Sequence, residues 1–521
     1  MASPALLRHL LSLPPSLRRS LYSTAISRAA AASKPDIYDV VCIGGGPVGL
    51  SFVSALQSQP STKALRIALV DAQDLSAARK ANDGEPYSNR CSSLTPASLR
   101  FLKEIGAWEH INVSRTQPYQ AMDVWDGVSG SRIHFDNVDQ QQRGLLGAVA
   151  EMIPGSRFEA SRRRYEADDA AVATMCENGH TTSALLQRLQ ELEGGGQRRE
   201  GGLRMLDKTS VESIDLGPEA KDEEELDLSQ WPVVTTSHGQ LAARLLVGAD
   251  GANSPVRRFA DIPSHGWDYN QHGVVATLQL DQPFTPDHTR TAYQRFLPTG
   301  PVALLPLPGA RASLVWSTTP AHAARLKSLP PADFTAAVNA AFRLMPVDLA
   351  YMLSPTATTA PADELAWREP ATAASSTGLP RAFPRATGVQ EGSIASFPLR
   401  MRHADTYTGH RIALIGDAAH TIHPLAGQGL NLGLADASSL AARIGYGVEH
   451  GMDIGGSFCL EGYLGERWAA NNAVIGVVDK LNKVYKAESG PVVWGRSAGV
   501  EVLERLGGVK GWVMGAAAGT R

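Results

Sequence analysis

Asp36-Ile37-Tyr38-Asp39-Val40-Val41-Cys42-Ile43-Gly44-Gly45-Gly46-Pro47-Val48-Gly49 is the stretch whose reading sets the fold. The aliphatic run Ile37 to Ile43 has the density of a parallel strand buried on both faces, and it leads directly into Gly44-x-Gly46-x-x-Gly49. The pattern predicts a helix from Pro47 to about Leu56. Gly44 permits a tight turn, Gly46 lets the backbone approach a pyrophosphate, and Gly49 lets helix and strand pack closely. Pro47 is harmless in the first turn, where its missing N–H would be unbonded anyway, and the helix start offers free N–H donors to negative charge. Leu65 to Val70 then alternates as a second strand and ends on Asp71, where a carboxylate can accept hydrogen bonds from ribose hydroxyls. This is a dinucleotide-binding βαβ unit, and by itself it does not tell FAD from NAD.

Outward from this unit the same strand character returns twice, at Leu245-Leu246-Val247 before Gly248-Ala249-Asp250-Gly251 and at Ile412-Ala413-Leu414-Ile415 before Gly416-Asp417. Between these, Gly273 to Leu280, Val302 to Leu307 and Arg311 to Ser317 read as an antiparallel sheet, so the chain is expected to leave one α/β domain and come back to it. Residues 191–202, 217–228 and 356–390 lack periodic apolar positions and are expected to be surface insertions without chemistry. Near the end, Val474, Val477, Val478, Leu481, Val484 and Tyr485 recur at helical spacing opposite Asn472, Lys480 and Lys483. A helix packed on the body fits that pattern better than one lying on a membrane surface, because its charge is modest.

The chain has 521 residues, 43% hydrophobic and 19% charged, as a folded enzyme would. Residues 1–35 hold five basic side chains (Arg8, Arg18, Arg19, Arg28, Lys34), seven serines and no acid, the make-up of a mitochondrial import peptide. Residues 36–521 carry 44 basic and 52 acidic side chains, a net charge of −8 that argues against a nucleic-acid binder. Cys42, Cys91, Cys176 and Cys459 are widely separated, so neither a zinc site nor a disulfide framework is expected. His420 and His423 lack a third ligand in sequence, and no metal is expected there. No apolar run is long enough to span a bilayer.

Leu246 to Arg257 (LVGADGANSPVR) and Arg411 to His420 (RIALIGDAAH), continued by Thr421 to Gly433 (TIHPLAGQGLNLG), resemble the two signature motifs of the group A aromatic flavoprotein monooxygenases, the para-hydroxybenzoate hydroxylase type. The resemblance implies an α/β fold: a Rossmann-like FAD-binding domain interleaved with an antiparallel-sheet substrate domain, plus C-terminal helices. It assigns FAD binding to Gly44, Gly46, Gly49, Asp71, Arg90, Asp250, Gly416, Asp417, Pro424, Gly427, Gln428, Gly429 and Asn431. Asp417 would meet the ribityl chain and pyrophosphate, Arg90 the phosphates, and the Pro424 to Asn431 loop the flavin ring. Expected boundaries are an import peptide over 1–35, FAD-binding parts at 36–115, 166–262 and 391–450, substrate parts at 116–165 and 263–390, and a helical region over 451–521.

Blocks at Tyr119 to Asp126, Gly266 to Gln271, Gln294 to Pro301 and Ser313 to Thr318 look like those of the ubiquinone biosynthesis hydroxylase family, and with the import peptide the likeness is to its mitochondrial branch. That implies hydroxylation at C5 of a polyprenylated hydroxybenzoate through a flavin C4a-hydroperoxide, with O2 as co-substrate. No obligatory Ser, His or Cys nucleophile is then needed, and no catalytic residue is assigned. The family likeness further implies electrons from ferredoxin and ferredoxin reductase, a ubiquinone biosynthetic complex as partner, and peripheral attachment to the matrix side of the inner membrane. Two other readings are a monooxygenase of a different phenol and a non-catalytic complex subunit; the intact glycines at 44, 46, 49, 427 and 429 weigh against the second.

Overall fold

The computed structural model describes residues 34–78, 86–136, 171–194, 202–220, 226–284, 290–424, 427–487 and 490–505. The expected import peptide lies outside them except for Lys34 and Pro35. Strand β1 (Asp36–Ile43) is central: it pairs in parallel with β2 (Arg66–Val70) and with β3 (Gly239–Gly248), which is why its run of aliphatics is unbroken. Strand Ile412–Leu414 extends the parallel order beyond β3, and Gly202–Leu206 extends it beyond β2. Ile43 lies level with both Val70 and Gly248, and Gly248 with Leu414, so the turns after all of these strands open at one edge of the sheet. Helix α1 (Pro47–Ser58) buries Leu50, Phe52, Val53 and Leu56 against that sheet.

A second sheet is built on the 17-residue strand β4 (Ser264–Leu280). Its order continues through β7 (Arg311–Thr318), β6 (Gly300–Leu307) and β5 (Thr291–Leu297), all antiparallel neighbours, to strand Ala121–Asp126, which joins β5 in parallel. On its other side β4 pairs with β8 (Ala395–Ala404) over nine positions. The expected return to the first domain at 391 is therefore too early. This strand carries short runs of apolar and basic residues that become legible only when set against β4, and the chain rejoins the parallel sheet at Thr408–Gly409 and Ile412–Leu414.

The outer face of this sheet, with Trp125, Val274, Leu278, Leu314 and Trp316, is covered by α2 (Pro331–Arg343) through Phe334, Val338 and Phe342. The expectation of a bare surface insertion over 356–390 is corrected here. Pro361–Ala371 is a helix, and Leu365 and Phe383 from this stretch are buried in the same core, Phe383 edge-on to Trp125 at 6.0 Å. Its Ala- and Pro-rich composition hides the few side chains that do the packing.

Helix α3 (Gln428–Glu449) lies against α1, and α4 (Ser457–Tyr485) runs from α3 across the inner face of the second sheet. There Ile475 joins Tyr269, Leu399 and Met401, and Val478 joins Phe296, whose ring stacks on Tyr485 at 3.9 Å. The apolar stripe seen in the sequence divides: Val474, Val478 and Tyr485 face the sheet, whereas Val477, Leu481 and Val484 face outward, with Val477 57% exposed. Helix α5 (Pro491–Arg505) is fastened by Arg496, which donates to both Asp126 oxygens at 2.9 and 3.0 Å and to the carbonyls of Val484 and Ala487. Both partners of this ion pair are buried, so removing one leaves the other's charge without compensation. Arg496→Ala is expected to cost about 3 kcal/mol or more, read as a lower urea midpoint together with new protease cleavage around residues 485–495.

Candidate active site

The three motif turns meet backbone to backbone. Gly44 has φ +113°, donates to Val70 O at 2.8 Å, and leaves no room for a Cβ against the Ala249 carbonyl. A Cβ on Gly49 would strike the Gly44 carbonyl, which is the close helix–strand contact the spacing predicts. Gly46 differs: its α-carbon looks into open space, with nothing within 4 Å of where a Cβ would stand. Asp71 receives the Gly45 N–H at 2.5 Å and the Gln73 N–H at 2.6 Å, so it braces the glycine turn from the end of β2.

The second and third motifs close on the first. Ala249 N–H donates to Ile43 O and Ile415 N–H to Gly248 O, at 2.8 and 2.9 Å. Arg257 bridges the two later turns, donating to Ala252 O and Ala418 O at 2.7 and 2.6 Å. Asp250 accepts from Val256 N–H through one oxygen, its other oxygen is buried without a partner, and burial raises its carboxyl above the usual range. Gly416, at φ +59°, sits against Val48 of α1, 3.2 Å from where its Cβ would be, and Gly433 meets the same Val48 at 2.6 Å. Asp417 is solvent-exposed, yet desolvation by the protein around it raises its carboxyl, with His420 opposing; it lies in a recess rather than on a convex surface.

The flavin-loop residues reach the same place. Gly427 adopts φ +63° and packs toward Ser93, Gln428 opens α3, and Gly429 faces open space. Pro424 is half-buried and its carbonyl accepts the Gly427 N–H at 3.1 Å; Leu425 and Ala426 lie outside the described residues. Asn431 is buried and spends its amide on protein: it accepts from Thr95 N–H and Ser98 Oγ and donates to Ser93 O and Gly427 O. It clamps the loop onto strand Cys91–Leu94. Arg90 stands exposed just before that strand.

Sequence reasoning missed what holds the third turn in place. Asp436, fully buried on α3, accepts from Gly416 N–H at 3.1 Å and pairs with His420 Nε2 at 2.6 Å through one oxygen. Its other oxygen accepts from Arg467 Nε and Asn471 Nδ2, both on α4 and both at 3.0 Å. Burial disfavours its charge, but His420 and then Arg467 outweigh this and hold its carboxyl below the usual value. Tyr407 and His403 continue the network, joined at 2.7 Å. On the substrate-sheet side, His423 is buried edge-on to Tyr269 at 5.0 Å, and Tyr269 OH donates to Asp479 at 3.2 Å. Among the described residues no group of side chains could hold a metal.

A glycine cradle open at Gly46 and Gly429, a recessed carboxylate and a flanking antiparallel sheet make an FAD-dependent aromatic monooxygenase. The FAD binding domain family matches residues 37–350 and 362–471. The ubiquinone biosynthesis monooxygenases COQ6, mitochondrial, of Schizosaccharomyces pombe, Saccharomyces cerevisiae and Homo sapiens are 37%, 35% and 34% identical to this chain, each alignment covering more than 90% of both sequences. The chain belongs to this COQ6 family of ubiquinone biosynthesis monooxygenases. Among solved structures, p-nitrophenol 4-monooxygenase PnpA from Pseudomonas putida matches with TM-score 0.59 at 17% identity, over 92% of this chain and 97% of that one. PqsL from Pseudomonas aeruginosa matches at 0.56 and 20%, over 90% and 100%; both likenesses concern the fold.

The glycine geometry and the buried imidazoles are each open to test. Gly46 already has an extended backbone at φ −73°, so Gly46→Ala is expected to keep the wild-type melting temperature in FAD-free protein while lowering FAD affinity by tenfold or more. Gly49→Val, which must displace the Gly44 carbonyl, is expected to lower both; fluorescence titration and calorimetry separate the two cases. Acid stability tests the imidazoles. Burial pushes His423 down to about 4, helped by Lys486 and opposed by Asp479, and burial with His420 pushes His403 down to about 4. An unfolded chain binds these protons near pH 6.5 while the folded one does not, so stability is expected to fall as pH drops from 6.5 toward 4. The slope of melting temperature against pH is expected to be shallower in His423→Gln.

Proposed function

We propose that the protein hydroxylates C5 of the aromatic ring of a polyprenylated hydroxybenzoate intermediate of ubiquinone biosynthesis. The observation that carries this reading is identity of about 35% over nearly the whole of both chains with COQ6 relatives, combined with a glycine cradle kept intact at every turn. FAD, when bound, would supply the activation of O2; the protein's task is to grip it and to present the substrate. Gly44, Gly46 and Gly49 would admit the pyrophosphate, Asp71 the adenosine ribose, and Asp417 the ribityl chain. Arg90 would approach the phosphates, Asp250 would offer its unpartnered oxygen, and amides at Gln428 and Gly429 would face the flavin ring with the positive end of α3 behind them. Asn431 would act by holding that loop to Ser93.

The ring would lie between the Pro424–Gly429 loop and the sheet face bearing Tyr269 and Leu399, where α4 closes one end and keeps water away. A polyprenyl tail dissolves in a bilayer, so the same proposal includes peripheral attachment to the matrix side of the mitochondrial inner membrane and membership of a biosynthetic complex there. Electrons would come from ferredoxin and ferredoxin reductase. The test is lipid extraction from cells lacking the gene: a prenylated ring without the C5 hydroxyl is expected to accumulate, and to disappear when the wild-type chain but not Gly49→Val is restored. Normal ubiquinone in the deleted cells would overturn the proposal. Single-turnover reduction of the purified holoenzyme is expected with ferredoxin, its reductase and NADPH together, and not with NADPH alone.

A further inference from the structure

The outward side of α4 does not look like a solvent face. Val477, Leu481 and Val484, spaced i, i+4 and i+7, are 57%, 39% and 38% exposed along one line of the helix. Lys480 stands exposed between them. From 467 to 487 the chain has a single carboxylate, Asp479, and it is turned inward to Tyr269 OH and to Lys483 at 2.9 Å. Arg496 holds α5 at the Val484 carbonyl, and Trp494, two residues before it on α5, is 77% exposed. Lys483 rests on the ring of Trp267, itself 40% exposed, at 4.1 Å. Aliphatic side chains in a line, lysines among them and exposed tryptophans on the neighbouring elements form a face that costs free energy in water and gains it at an interface both greasy and negatively charged.

We propose that the outer face of α4 and the start of α5 dock on an anionic phospholipid bilayer. The charge complementarity selects this occupant: the chain beyond residue 35 is net negative, yet the exposed charged side chains on this side of α4 are Lys480 and Lys483, and the acid beside Trp267, Asp268, is paired with Arg402 at 2.7 Å. A second copy docking through the same face would set these lysines against their own counterparts, whereas anionic headgroups meet them with opposite charge. The docked orientation also explains why α4 is apolar on both sides. Its inner side closes the substrate sheet at Tyr269 and Phe296 while its outer side meets lipid, so a single helix separates ring site and bilayer. The inference deepens the proposed function, and rests on it for the meaning of docking but not for its occurrence.

The experiment is flotation of the FAD-loaded full chain with vesicles of phosphatidylcholine alone and of phosphatidylcholine with phosphatidylglycerol. Wild type is expected to float with the anionic vesicles and to lose them in high salt. Leu481→Asp with Val484→Asp is expected to weaken the partition by at least tenfold, and Lys480→Ala by about fivefold. Flavin absorbance and melting temperature should stay unchanged because these side chains are exposed. Val347→Asp, at a 74% exposed apolar position outside this face, is expected to float as wild type does. Wild type that ignores anionic vesicles, α4 variants that bind undiminished, or a dimer in sedimentation that Leu481→Asp dissolves would each overturn the proposal, the last by giving the face to a second copy. A chain that binds vesicles through this face yet hydroxylates no prenylated ring would sink the proposed function and leave the docking face standing.

Discussion

Everything in this molecule depends on main-chain atoms from three distant segments coming within contact distance at one edge of the parallel sheet. The Gly49 α-carbon lies under the Gly44 carbonyl, Gly44 lies against Ala249, and Val48 is wedged between Gly416 and Gly433. A Cβ would clash at Gly44, Gly49 and Gly433, and Gly416 is held at a positive φ, which is why the glycines are distributed over nearly 400 residues of chain. The gain is a cradle whose donors are amides fixed by the sheet, so little ordering remains to be done when a pyrophosphate arrives.

That closeness has to be held from behind, and the chain does so with buried charge. Asp436 ties the Gly416 amide and His420 to Arg467 and Asn471, so the third turn is fixed simultaneously to α3 and α4. A carboxylate in such a place is costly to desolvate, and only the completeness of its partners makes it tolerable. The same logic recurs at Arg115, which forms a two-pronged pair with Glu177 beside the strand that Asn431 grips, and at Arg496 with Asp126. Each of these pairs joins segments from different passes of the chain, which specifies one arrangement of interleaved domains.

Much of this is legible in the amino-acid order. A strand flanked on both faces must be aliphatic throughout, so β1 and the later strands ending at Gly248 and Leu414 stand out, and the glycine spacing marks their turns. Asp436 is not legible, because one acid in an apolar helix has the pattern of a solvent-facing residue and its partners are 16 to 35 positions away. Nor is β8, whose place beside β4 comes from long-range pairing, or the helix at 361–371, whose core contribution is Leu365 in a stretch of small residues. The C-terminal stripe reads as one face, since six apolar positions at helical spacing cannot say that half of them point away from the protein.

The bond between Asp126 and Arg496 spans 370 positions of sequence. Strand Ala121–Asp126 leaves the ribosome well before its partner, so the inner face of the substrate sheet, with Phe296, stays uncovered until α4 has been made. A nascent chain in this condition carries a sticky half-built sheet while the intervening residues are translated. A chain broken off just before Arg496 would keep α4 over Phe296 but leave the Asp126 carboxylate buried without its countercharge, an easier client for proteases than the intact fold.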